Sequence, residues 1–168
     1  MKRIILSLVT VALVGLSTLS AQNQKYGHID SNELLVLMPE RKQAEKAIQA
    51  YAQELENQLE ELSKEYETKI RDYQSKEATM TEAIKRMKVK EINDLDMRIK
   101  DFQNVAQEEF QNKQNELMKP ILDKAKKAIQ DVAEEQKFTY IFDVGSGALL
   151  YYPESNDVLP LVKKKLNL

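Results

Sequence analysis

The chain has 168 residues, room for one ordinary domain, with 27 acidic against 25 basic side chains and a formal charge of −2. That balance gives no argument for nucleic acid as a partner. Cysteine is absent and histidine occurs once, which excludes disulfides and a structural zinc site, and no glycine-rich phosphate loop is present for ATP-driven work.

Residues 1–21 read as a secretory signal peptide: Met1-Lys2-Arg3 is basic, Ile4 to Leu16 is apolar, and Ser17 to Ala21 supplies small residues. The apolar run is shorter than the roughly 20 residues that cross a bilayer. Cleavage at either of two neighbouring bonds, after Ser20 or after Ala21, removes Lys2 and Arg3 and takes the formal charge from −2 to −4. No cysteine follows the apolar run, which speaks against a lipoprotein anchor.

The first predicted element of the mature chain is a strand at Tyr26-Gly27-His28-Ile29. Asp30 and Glu33 then stand at capping-box spacing ahead of Leu34 to Leu37, which predicts a short helix ending before Pro39. Pro39 opens the next helix, since proline in the first turn lacks only a donor that would be orphaned anyway.

Between Gly27 and Gly145 there is no glycine. Glycine costs about 1 kcal/mol in a helix interior relative to alanine, and its absence amid abundant Glu, Lys, Gln and Ala predicts long helices. Tyr51, Leu55, Leu59, Leu62, Tyr66, Ile70 and Tyr73 recur at steps of four and three, one seam wide. The pattern loosens near residue 78, where Thr79 and Glu82 repeat the capping-box spacing. A reversal at 78 or 79 sets Tyr66 against Ile92, Leu62 against Leu95, Leu59 against Ile99 and Leu55 against Phe102. The alternative is one unbroken helix, because no glycine or proline forces a turn. The reversal gives a hairpin over 40–119 with its tip near 76–81 and arms about 60 Å long. Pro120 then falls at the root, as a kink or a restart of the returning helix.

After Glu135 the pattern becomes alternating: Phe138, Tyr140 and Phe142 are expected on one face, and Val144 to Gly147 is expected to turn into a return strand over Ala148 to Tyr152. A last short helix, capped by Asn156 or Asp157, buries Val158, Val162 and Leu166. An isolated two-stranded hairpin is marginal in water, so the Tyr26 strand is the natural third partner. The expected fold is therefore α+β: a three-stranded body from 22–39 and 120–168 carrying the long antiparallel helical hairpin. A body that small buries only a modest core, and its aromatic face implies that copies join through it. Ile29, Phe138, Tyr140, Phe142, Leu149 and Tyr151 are the candidate oligomerisation residues.

Catalytic groups are scarce. His28 lies in the first strand with no visible partner, which favours a packed histidine over a catalytic base, and the chain is not expected to be an enzyme or to hold a cofactor or metal. Lys85, Arg86, Lys88 and Lys90 cluster beside the tip, diluted by Glu82 and Glu91, and read as a solvated face or as a weak contact for an acidic membrane surface or an acidic partner segment.

Tyr26-Gly27-His28-Ile29-Asp30 leading into Leu34-Leu35, the polar helical hairpin, Tyr140-Ile141-Phe142-Asp143, Ala148-Leu149-Leu150-Tyr151-Tyr152, and the closing Asn156-Asp157-Val158 with Leu161-Val162-Lys163 follow one another in an order that resembles the Skp/OmpH family of periplasmic chaperones. The resemblance covers nearly all of the mature chain. It implies a homotrimer with a common barrel-like body and three helical tentacles around a cavity, acting as an ATP-independent holdase for unfolded outer-membrane proteins. Well-known members are strongly basic whereas this chain is acidic, so no lipopolysaccharide or anionic-lipid site is carried over. The competing reading is a structural coiled-coil adaptor or spacer of the cell envelope.

Overall fold

The computed structural model describes residues 24–168; the expected signal segment lies outside them. Strand β1 (Tyr26–Ile29) leads into helix α1 (Ser31–Leu37) and the long helices α2 (Pro39–Lys76) and α3 (Glu82–Glu135). Strand β2 (Tyr140–Asp143) and helix α4 (Leu159–Leu166) close the chain.

Local chemistry explains the boundaries. The Asp30 carboxylate accepts hydrogen bonds from the amides of Asn32 and Glu33 and so starts α1, which ends where Pro39 opens α2. A single 3-10 turn at Glu77–Thr79 ends α2, and Thr81, not Thr79, caps α3 by accepting from the Ile84 amide at 3.4 Å. The reversal thus needs neither glycine nor proline. A tight turn that leaves only a few backbone groups to satisfy is closed by threonine and by carbonyls of the last α2 turn.

Contacts between α2 and α3 run in opposite order along the two helices: Glu40 meets Lys124, the Tyr51 hydroxyl donates to Glu109 Oε2 at 3.0 Å, and Lys69 reaches Glu91 at 3.5 Å. Helix α3 continues unbroken through Pro120, so of the two outcomes expected there, kink or restart, the restart does not occur.

The sheet corrects the expected topology. β1 and β2 pair in parallel, Tyr26 opposite Tyr140 and Ile29 opposite Asp143, with the helical excursion as their connection. The Val144–Gly147 turn forms, but residues 148–152 do not return along β2. Asp143 shows why. Its carboxylate accepts from the Ser31 amide (3.1 Å), the Ser31 hydroxyl (2.6 Å) and the Gly145 amide (3.0 Å), while the Asn32 side chain donates to the Gly145 carbonyl. These bonds draw the chain toward α1 instead of back along β2. A Cβ at Gly145 would stand 2.5 Å from Asp30 Oδ1 and 2.7 Å from Asn32 Nδ2, so a larger residue there would displace the two side chains that hold the turn against α1. The chain then crosses to the other edge of β1, where Asp157 bridges His28 and its carboxylate accepts from the Leu159 amide at 2.8 Å, starting α4.

The core lies between the inner face of the sheet, α1, the roots of α2 and α3, and α4. Leu34, Met38, Val158 and Val162 are fully buried there, with Ile29, Ile121, Ala125 and Val132 around them. Burying side chains of this kind stabilises by about 1.5–3 kcal/mol each, as an upper estimate. Gly27 is part of that packing: a Cβ on it would meet Val158 at 2.8 Å and the Phe138 ring at 3.0 Å.

Candidate functional site

Among the described residues, the outer face of the sheet and the arm built by α2 and α3 both leave large apolar side chains open to solvent. In the parallel register, even-numbered residues of both strands share the outer face. Tyr26 stacks on Tyr140 with ring centroids 6.1 Å apart and planes 5° from parallel, and Phe142 adds a third ring 6.1 Å from Tyr140. Tyr140 is 59% exposed, so this is a platform and not a core. Beside it His28 is buried under Tyr152, with ring centroids 4.5 Å apart. Its Nε2 lies 2.9 Å from the Pro153 carbonyl, which can only accept, so that nitrogen carries the hydrogen and donates. The histidine is a packed one that pins the segment leading to α4.

Of the residues expected at a joint, Tyr140, Phe142 and Tyr151 are exposed and Leu149 is half-buried. Ile29 belongs to the chain's own core, at 2% exposure. Phe138 also turns inward: Lys137 adopts a left-handed backbone (φ 56°), which rotates the chain just before β2 begins, and the ring packs at Gly27 under the Lys25 ammonium, 4.0 Å from its centroid. Tyr26 was not among the expected joint residues. Its place on the platform follows from parallel pairing, which the sequence pattern alone does not specify.

Along the arm, Leu55, Leu59, Leu62, Tyr66, Ile92, Ile99 and Phe102 are half-buried, as expected for a seam with a single partner helix, and Leu95 alone is fully covered. Midway, Leu55 and Leu59 on α2 and Phe102, Ala106 and Phe110 on α3 line an open groove of about 400 Å³, with Glu56 on its rim. At the root, Glu40, Ala44, Leu117, Pro120, Ile121 and Lys124 line a second groove. Its ion pair lowers the Glu40 carboxyl below the usual range through the Lys124 hydrogen bond. At the tip, Lys85 and Lys88 are paired with Glu82 and Glu91, leaving Arg86 and Lys90 as the freer cations of the expected basic cluster. Among the described residues no group of carboxylates or histidine is arranged to hold a metal, and no helix is long and apolar enough to cross a membrane.

A small body of two parallel strands and short helices that exposes an aromatic sheet face and extends a long two-helix arm defines the class of fold. Comparison with known proteins gives the family: the family model described as outer membrane protein (OmpH-like) matches residues 25–166, and the chain belongs to that family. An uncharacterized protein of Aquifex aeolicus (strain VF5) is 32% identical over 127 residues, which is 76% of this chain and 71% of the relative. The crystal structure of an OmpH-like protein of Caulobacter crescentus CB15, described as a candidate outer membrane chaperone, superimposes with a TM-score of 0.75 at 12% identity, covering 86% of this chain and 84% of the other. That likeness is one of fold.

Proposed function

We propose that this chain is an ATP-independent holdase of the periplasm that binds unfolded outer-membrane proteins and delays their aggregation. The observation that carries the reading is the arm: two helices joined by a half-open seam, with Met87, Met97 and Val105 exposed amid charge. Such a surface offers many weak contacts and open grooves instead of an enclosed pocket, which suits a client presenting apolar strands without a fixed structure. Of the described residues, 24–39 with 120–168 form the body and 40–119 the tentacle, with Pro120 at the root. The chains join as a homotrimer through the platform of Tyr26, Tyr140 and Phe142, and the exposed 148–152 segment supplies the third strand of a joint sheet. The tip contributes at most a weak contact with anionic membrane surfaces.

The test is dilution of a urea-denatured outer-membrane barrel into buffer with and without the mature protein, lacking ATP, followed by light scattering. Suppression that grows with molar ratio is expected. Scattering equal to buffer alone at every ratio would return the chain to the role of envelope spacer.

A further inference from the structure

The arm is zoned by charge. Residues 69–90 around the tip hold seven basic and three acidic side chains, whereas the waist, 52–67 with 94–110, holds eleven acidic against three basic. Three of the waist carboxylates are paired: Glu60 with Lys64, Glu65 with Lys69 and Asp96 with Lys100. Glu56, Glu61, Asp94, Asp101 and Glu108 have no cation within ion-pair distance among the described residues. Glu56 takes only an amide hydrogen bond, from Gln53 at 3.3 Å.

The open groove lies in this same waist. Its floor is apolar, Leu55, Leu59, Phe102, Ala106 and Phe110, and its volume of about 400 Å³ accepts a large side chain. An uncovered apolar groove inside an acidic field favours one kind of occupant: an apolar anchor flanked by lysine or arginine. The anchor gains from leaving water, and the flanking cations from Glu56 on the rim and from the net negative charge of the waist around it. An anionic segment gains the first term and is repelled by the second.

We propose that the waist groove is a docking site for cationic amphipathic segments, so that this chain holds clients by their basic stretches. The proposal rests on the holdase reading and adds the charge class of the client. It requires no pocket beyond the groove.

Two fluorescein-labelled peptides with identical Leu and Phe positions, one carrying Lys and the other Glu at the polar positions, are titrated with the full mature protein by fluorescence anisotropy. At low salt the Lys peptide is expected to bind at least about tenfold more tightly, the gap closing as salt screens the field. Glu56→Lys, which reverses the charge at the exposed rim position and keeps helix propensity, should weaken the Lys peptide roughly three- to tenfold. Ala106→Leu, which fills the groove without disfavouring helix, should weaken both peptides. Equal binding of the two peptides overturns the proposal, as does indifference of the Lys peptide to both variants. Self-association that excludes the peptides and is lost in Lys85→Glu with Arg86→Glu also overturns it, by giving the waist to the basic tip of a second copy. The barrel-aggregation assay run in parallel keeps the two readings apart. Suppression without charge preference sinks only the docking site, and charge-selective peptide binding without suppression sinks only the holdase.

Discussion

Asp143 shows how one side chain decides the path of the chain. Burial raises its carboxyl, but the Ser31 hydroxyl and amide and the Gly145 amide outweigh that effect, and the folded group is acidified below its usual value. A carboxyl whose folded pKa lies below its unfolded one stabilises fully above the ordinary value of about 3.9, and the contribution drains away as the pH falls through the folded value. Asp143→Asn keeps one acceptor and loses the charge. Urea titrations should find it less stable than the parent by about 1 kcal/mol at pH 7, with the two curves converging below pH 4. A difference that persists unchanged at low pH would mean that shape, not charge, holds β2 to α1. The sequence showed the capping of α1 by Asp30, which is a local signal. It did not show that Asp143, 112 residues beyond Ser31, accepts the amide of the first α1 residue.

At the scale of elements, what was legible is what has a period. The arm could be read because a 3.6-residue repeat of leucine, isoleucine and tyrosine over dozens of positions has one structural solution. Boundaries set by a single hydrogen bond were less legible, and the α3 cap falls at Thr81, two residues past the capping-box signal at Thr79. The return strand failed for another reason. Alternating aromatic sequence around Val144 to Gly147 fits a hairpin and a crossing segment equally, and the choice is made by the bonds of Asp143 to Ser31 and of His28 to Pro153, partners far apart in sequence. The arm's cohesion, in turn, is concentrated. Leu95 is the one buried residue among those expected along the seam, while its neighbours there are half open. Leu95→Ala should therefore cost the arm about 2–3 kcal/mol, although alanine is the better helix former. Hydrogen exchange would read this as faster exchange of amides around 84–102 with β1 unchanged. Equal acceleration in both regions would show that arm and body open as one unit.

For the whole molecule the decisive quantity is apolar surface left outside. Leu150 is 99% exposed, Tyr151 84% and Tyr140 59%, beside a two-stranded sheet whose β2 has a partner on one edge only. A sheet of that size is marginal in water, and an exposed edge next to aromatic rings invites another strand. The isolated chain satisfies its own core through Leu34, Val158 and Val162, whereas Tyr140 and Tyr151 are exposed, so platform variants should fold. Tyr140→Glu with Tyr151→Glu places like charges where the copies are proposed to meet and removes no buried group. The parent is expected to sediment at three times the chain mass, and the double variant as a monomer with its far-ultraviolet helical signal unchanged. A parent that is a stable monomer at micromolar concentration would end the assembly reading, and a variant that keeps the parent's mass would move the joint away from the aromatic face.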